Sequence, residues 1–406
     1  MAELVRGCLL RPGAPELEAV EWTYARWKPR TALSAGYELR FADGGERRLH
    51  VKRYAGDKAQ WLAARGRAGS SREDDRLLHA DLVRAEEGLV ASVFPTDRVL
   101  PGLERLLNLR RTARWTTGCG VYDGARMRAR HSSAQLLRYR PESRAVFKLS
   151  AGWTSADGRR GTTCLAARVL PPARAARVAA LREACPFAGS PRLLAVQART
   201  GLLVEEWLEV RPQSPDAFDH AELAGELLAS LHALPGASGA APIEAPAEGR
   251  RRLDALFAWH PELAALAAAL DDATPEAPPV WSHGDFHPDQ VALEPGGRGV
   301  RLLDLDRLGP AAAAADLASW TADRLAHAPD LGLEDASAPL LAGYSAGGGR
   351  PPPTRELAAH VVSQLRARAA ASLRRLELGG ETHAARLLGL AHEIRERAAR
   401  PARVRR

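Results

Sequence analysis

The stretch that decides the reading is Ser282 to Leu293, SHGDFHPDQVAL, with its continuation after a Gly-rich turn, Val300 to Gly309, VRLLDLDRLG. The two apolar runs on either side of the Glu294–Gly299 turn read as a hairpin. Gly284 lets the backbone turn sharply just before Asp285. A tight loop carrying Asp285 and then Gln290, followed by a hairpin that returns Asp304, gathers two carboxylates and an amide at one end of two adjacent strands.

Working outward, the chain changes character on the two sides of this loop. Upstream, Asp219–Leu234 reads as an amphipathic helix, with Leu223, Leu227, Leu228, Leu231 and Leu234 on one stripe. A Gly/Ala/Pro linker, Gly236–Glu248, follows it. Beyond Gly309 the sequence reads helical, with breaks near Pro329 and Pro351–Pro353. Further upstream the reading is mostly strand. Val20–Tyr54 contains a hairpin turning at Ala42–Gly45, while Leu77–Val90 reads as a helix. Phe94–Leu107 is a loop running into a short helix. Gln135–Leu149 is a strand pair or one bent strand, and Thr162–Leu170 is a strand. Pro171 and Pro172 open a helix over Ala173–Ala184. Arg192–Gln197 and Leu202–Trp207 are strands, and a Pro-bearing connector follows them. Strands, a connector and then helices make a two-lobed α+β arrangement.

The strand half contains a short internal resemblance. Arg26-Trp27-Lys28-Pro29 and Arg138-Tyr139-Arg140-Pro141 each precede a hairpin. Each hairpin ends in an apolar strand with a central cation, Lys52 in LHVKRY and Arg168 in LAARVL. Either the module is duplicated or two Arg-rich hairpins look alike by composition.

Composition excludes several classes. A chain of 406 residues, 46% hydrophobic, has enough apolar material for two or three cores. No run of 18 or more uncharged apolar residues appears, and Met1–Pro12 has no apolar core of signal-peptide length. A cytoplasmic protein without a membrane partner is expected. The four cysteines, Cys8, Cys119, Cys164 and Cys185, have neither metal-ligand nor redox spacing. The net charge of +8 comes from scattered arginines, and lysine occurs only at positions 28, 52, 58 and 148. No nucleic-acid motif accompanies that charge, so a nucleic acid is not the expected partner. The basic tail Arg400–Arg406 reads as a solvated end.

The loop chemistry suits phosphoryl transfer. Such a site must hold a hydroxyl in line with a phosphate and accept its proton on a carboxylate. It must also offer hard oxygen ligands to magnesium. SHGDFHPDQ followed by LLDLD closely resembles the catalytic loop of the aminoglycoside phosphotransferase family, His-Gly-Asp-x-His-x-x-Asn followed by Ile-Asp-Phe/Trp, a group that includes choline, homoserine and maltose kinases. The resemblance covers about Leu136 to Ala399. It implies a protein-kinase-like fold with a β-rich small lobe at 131–210 and a mainly helical large lobe at 211–406. Residues 1–130 would then form an N-terminal β-containing cap.

By position, the resemblance makes Asp285 the catalytic base, with His283 and His287 shaping the loop. Gln290 and Asp304 become the candidate Mg²⁺ ligands, with Asp306 or Asp289 placed to compensate for the longer Gln290, and Asp316 in the Asp-Leu-Ala helix start becomes a structural residue. For ATP it implies a strand cation paired with a helix carboxylate, here Arg168 and Glu183, with Lys52 as the alternative cation. The connector meeting adenine would be Glu205–Leu208, with Glu206 and Leu208 as its contacts. Two departures matter. Gln290 stands where the family has asparagine, one methylene shorter, and Arg168 stands where it has lysine, a substitution that changes reach and geometry. The expected activity is transfer of the γ-phosphate of ATP to a hydroxyl of a small molecule. The rival readings are a catalytically weak or dead kinase-fold binding protein and a basic nucleic-acid scaffold. The Arg-rich late helices, with Arg366, Arg368, Arg374 and Arg375, argue against a polycationic aminoglycoside as acceptor.

Overall fold

The computed structural model describes residues 1–64, 76–78, 81–209, 220–237, 246–270, 277–294 and 299–400. Most of the Gly236–Glu248 linker, the Glu294–Gly299 turn, the connector after Leu208 and the basic tail lies outside these residues. The described chain forms two compact units. The first comprises Met1–Ala176, Leu193–Trp207 and Arg374–Glu377, and the second Arg177–Arg192, Leu208–Leu373 and Leu378–Arg406. The fold is α+β and protein-kinase-like, with a β-rich unit and a mainly helical one.

The first unit holds two antiparallel sheets. One is built from β1 (Leu17–Lys28), β2 (Ala32–Phe41), β3 (Glu46–Tyr54), β4 (Asp81–Arg84) and β5 (Leu89–Val93), in the order β1-β2-β3-β5-β4. The other contains β6 (Arg126–Met127), β7 (Ser133–Arg140), β8 (Arg144–Thr154), β9 (Arg160–Val169), β10 (Leu193–Gln197) and β11 (Leu202–Glu206). Its path is β10-β11-β9-β8, and both β6 and β7 pair with β8. Helices α1 (Ala2–Cys8), α2 (Lys58–Ala64), α3 (Gly102–Leu107) and α4 (Leu109–Gly118) complete the unit. Alternation places Ala145, Phe147 and Leu149 of β8 on one face, where they join Leu165, Ala167 and Val169 of β9 and meet Leu103 and Leu106 of α3. In the first sheet Leu39, Leu49, Val51 and Val93 pack with Val5 of α1 and with Leu9 just after it.

The strand half departs from the sequence reading in one place. Leu77–Val90 is not a helix: β4 and β5 form a hairpin there. Gly88 turns the chain at φ 66°, and β-branched Val83, Val90 and Val93 suit the strands that flank it. An apolar pattern this short does not separate helix from strand.

The internal resemblance extends to topology. In each sheet three meandering strands are followed by a helix and two further strands, and the last strand inserts beside the third. The helix is α2 in one copy and α5 (Pro172–Ala184) in the other. The first turns also match: Arg30 (φ 57°) and Glu142 (φ 56°) both follow a Pro and both adopt the left-handed region. Lys52 pairs with Val90 and Arg168 with Leu203, so the two cations occupy one position of a repeated module. Shared composition does not by itself give the same strand order, so the strand module is present twice.

The second unit contains α6 (Ala221–His232), α7 (Pro246–Phe257), α8 (Pro261–Ala269), α9 (Ala313–His327), α10 (Leu333–Ala346), most of α11 (Thr354–Arg375) and α12 (Gly380–Ala399). The face of α6 that is fully covered runs through Ala221, Ala224, Gly225, Leu228 and His232, while Leu223, Leu227 and Leu234 are only partly covered. The small residues are there for close approach. A side chain at Gly225 would run into the Leu340 carbonyl of α10, and one at Gly343 into the Glu222 carbonyl. Between α8 and α9 lie two short strand pairs, one nested inside the other. The outer pair is β12 (Val280–Ser282) with β15 (Gly309–Ala311), and the inner is β13 (Val291–Leu293) with β14 (Val300–Leu302). No helix among the described residues is long and apolar enough to cross a membrane.

Candidate active site

The nested pairs force two segments to face each other. The outer pair sets Ser282 opposite Gly309, and the inner sets Val291 opposite Leu302. The loop 283–290 therefore lies along 303–308, and the Leu303 N–H donates to the Gln290 carbonyl at 2.8 Å. Gly284 (φ 75°) is required by both its backbone and its neighbour, because a Cβ there would strike the Arg307 carbonyl. Asp304 itself sits in the left-handed region, φ 54° and ψ 51°, which Asp tolerates better than most residues.

Buried polar and aromatic contacts lock the loop. Asp316, buried on α9, accepts the His283 N–H at 2.7 Å and the Gly284 N–H at 2.9 Å. His232 Nε2–H gives a third bond to Asp316 at 3.2 Å, and His232 Nδ1 lies within hydrogen-bond distance of the Tyr344 hydroxyl, at 2.9 Å. Burial alone would raise the Asp316 carboxyl. The His232 hydrogen bond and charge, with the Gly284 N–H, instead hold it below the usual carboxylate range. Burial, with the Asp316 charge, pushes the Tyr344 phenol up to about 12. The fully buried His283 ring gives Nε2–H to the Leu303 carbonyl at 2.7 Å and accepts the Asp285 N–H on Nδ1 at 3.3 Å, which fixes its tautomer. Phe286 is buried and stacks on Trp320 of α9, with ring centroids 5.1 Å apart.

This frame leaves Asp285 half-exposed, with Arg307 Nη1 3.7 Å from its carboxylate. Gln290 donates an amide N–H to His287 Nε2 at 3.2 Å, which turns the amide oxygen away from the ring. Burial holds His287 below the usual histidine value, against the pull of Asp285 and Asp323, so the neutral ring is the form that accepts this bond. Asp304 is partly covered and Asp306 is buried. Gln290, Asp304 and Asp306 supply an amide and two carboxylates, the hard oxygen donors that suit magnesium. Among the described residues no three His, Cys, Asp or Glu side chains converge as a metal cluster. A magnesium site built largely on phosphate oxygens and water asks the protein for only one or two carboxylates.

The nucleotide candidates lie elsewhere in sequence. Arg168 is buried mid-strand on β9, where Glu205 of β11 meets it: Nη2 donates to Oε1 at 3.0 Å and Nε lies 2.8 Å from Oε2. Lys148 of β8 lies over the Trp207 ring, 4.6 Å from its centroid. Lys52 is buried against Glu142 in the β7–β8 turn, and the Tyr54 hydroxyl also reaches Glu142, at 3.2 Å. Burial would raise Glu142, but the Lys52 ammonium holds it below the usual range. Glu206 ends β11 and Leu208 follows it, while Glu183 lies in the last turn of α5, in the second unit. The structure thus brings His283, Asp285, Gln290, Asp304 and Asp306 into one facing pair of segments, and sets Arg168 and Lys52 at equivalent places in two sheets.

Sequence reasoning did not find His232, Tyr344, Lys148 or Arg307, and it read Glu205 as the start of the connector rather than as the partner of Arg168. His232, in the run LASLHAL on an apolar helix face, was the one visible signal. Arg307 sat unread within the quoted motif.

A loop nested in two strand pairs within a helical unit, in a chain that also carries a twice-built antiparallel module, is the arrangement of a kinase-type phosphotransferase fold. Residues 163–360, just under half of the chain, match the model of the phosphotransferase enzyme family (APH). The protein is accordingly a transferase of the kinase type with an alcohol group as acceptor. No curated protein matches the chain. Similar solved structures include an ethanolamine kinase from Plasmodium vivax (11% identity, 67% of this chain and 85% of that one, TM-score 0.45). A choline kinase from Streptococcus pneumoniae is 13% identical over 64% of this chain and 93% of its own, TM-score 0.45. A macrolide 2'-phosphotransferase type I is 21% identical over 72% and 98%, TM-score 0.43.

Proposed function

We propose that this protein transfers the γ-phosphate of ATP to a hydroxyl of a small molecule, a sugar, an amino alcohol or a natural-product intermediate. The observation that carries this reading is the presentation of Asp285. It stands half-exposed on a loop whose backbone N–H groups are held by a buried carboxylate. In that role Asp285 accepts a hydrogen bond from the acceptor hydroxyl, orients its oxygen and takes its proton. His283 contributes rigidity, since both ring nitrogens are used within the loop. Gln290, Asp304 and Asp306 would hold magnesium, which neutralises phosphate charge when bound. Arg168 is the cation for the phosphates, and the backbone from Glu206 to Leu208 would meet the adenine. Residues 1–130 serve as the cap, 131–210 as the small lobe and 211–406 as the large lobe.

A second reading, a kinase-fold protein that binds nucleotide with little or no turnover, is prompted by Gln290 and Arg168 together. Incubation with Mg·ATP and a panel of small hydroxyl compounds separates the two. In an active protein, Asp285→Asn should lower kcat by roughly 10²–10⁴-fold, the range for losing a general base, with ATP affinity kept. Near-normal turnover in that variant removes Asp285 from the role.

A further inference from the structure

The third strand of each repeated module carries a buried cation, but the two cations are held differently. Two residues before the cation, His50 in the first copy and Ala166 in the second, the neighbouring strand offers Ser92 and Glu205 respectively. The first sheet thus has no carboxylate at this position, and Lys52 is met by Glu142 from the β7–β8 turn. In the second sheet Arg168 and Glu205 lie diagonally across adjacent strands on one face, buried to 7% and 6% exposure. That diagonal is within reach of long side chains. Glu205 meets one edge of the guanidinium, Nε and Nη2. A guanidinium carries five N–H donors in a planar fork, enough to meet a carboxylate along one edge and a phosphate along another. A buried ion pair is seldom the most stable filling for such a site, since apolar residues of similar volume often do as well or better.

We infer that Glu205 is the positioning residue for Arg168: it fixes the plane and direction of the guanidinium so that the other edge meets the anionic end of the nucleotide. The role that the sequence resemblance gave to Glu183 on a helix thereby passes to a residue of the adjacent strand. This inference rests on the reading of Arg168 as the phosphate-binding cation.

The test is a double-mutant cycle read as KM for ATP, kcat and melting temperature. Glu205→Gln keeps the volume but sets an amide NH₂ against one guanidinium N–H. Glu205→Asp keeps the charge and draws the carboxylate back by one methylene. It guards against misfolding in the glutamine variant, where Arg168 would be left an uncompensated buried cation. Both should raise KM for ATP on the order of tenfold, equivalent to about 1.4 kcal/mol, with kcat within about twofold. Arg168→Met should do the same, and Glu205→Gln should add nothing further in the Arg168→Met background. The inference is overturned if the Glu205 variants lower only the melting temperature. It is equally overturned if Glu205→Gln adds its full effect in the Arg168→Met background, or if Glu183→Gln raises KM more than Glu205→Asp does. A wild-type protein that binds no ATP would sink the underlying reading as well, whereas normal KM values in an otherwise active set would sink this inference alone.

Discussion

Asp316→Ala is the perturbation whose consequence follows most directly from the structure. The carboxylate accepts from three donors: the backbone N–H of His283, the backbone N–H of Gly284 and Nε2–H of His232. Removing it strands all three, but not equally. Gly284 lies at the surface, so water can replace its acceptor, whereas His283 and His232 are buried. Two stranded buried donors at roughly 1–3 kcal/mol each set the expected loss at roughly 2–6 kcal/mol. Asp316→Asn, with its carbonyl oxygen in the Oδ2 place that both buried donors use, keeps those two bonds and should lose only a minor part of that. The local assay is amide hydrogen exchange over the peptide spanning residues 280–290, whose protection reports the opening of this loop. The global assay is chemical denaturation, fitted with allowance for two units.

The pH dependence of Asp316 has a definite sign. Its folded carboxyl lies below the unfolded value of about 3.9. Its contribution is therefore complete above about pH 5 and is lost as pH falls through the depressed folded value, so the gap between wild type and Asp316→Ala should narrow in acid. A variant within about 0.5 kcal/mol of wild type at pH 7, with unchanged loop protection, refutes the claim that Asp316 holds the loop.

The other site residues give sharper functional outcomes. Asp304→Ala should abolish magnesium-dependent ATP binding in calorimetry while the melting temperature stays near that of wild type, and an unchanged Mg·ATP affinity would remove Asp304 from the metal set. Gln290→Ala should raise the magnesium requirement on the order of tenfold or more, whereas Gln290→Asn should keep or improve turnover by restoring the shorter amide at fixed charge; wild-type kinetics in Gln290→Ala would exclude a ligand role. Gly284→Ala should cost roughly 1–2 kcal/mol for the left-handed backbone alone, and more because its Cβ meets the Arg307 carbonyl. Its measured effect should be a lower melting temperature together with a loss of kcat, and a fully active, equally stable variant would contradict the loop geometry.

The catalytic loop was legible because its chemistry is contiguous. His283, Asp285, Gln290, Asp304 and Asp306 fall within one short stretch, and the nesting of two strand pairs needs only local register and one tight glycine. The order of strands and helices was legible for a similar reason, since alternation and periodicity are local. Leu77–Val90 was misread because a short apolar run fits either period until a partner strand is present, and here β5 pairs with both β3 and β4. The repeated module showed in sequence as a few matching letters, Arg26–Pro29 and Arg138–Pro141. The identity of the two copies emerged only from their common strand order.

Partner choice was decided by tertiary structure alone. Asp316 looked structural from its place at a helix start, but its pairing with His232, 84 residues away, and with the loop amides depends on how α6, α9 and the nested strands pack. Arg168 had a plausible carboxylate on the next helix, yet Glu205 meets it, 37 residues further on, because β11 inserts beside β9 and sheet register places the two on one face. Lys52 and Arg168 are equivalent by position and different by environment for the same reason. Sequence specifies which groups a segment can offer and how its own backbone turns. Which buried charges answer one another is set by register and packing across the chain, where an unpaired charge is too costly to leave in place.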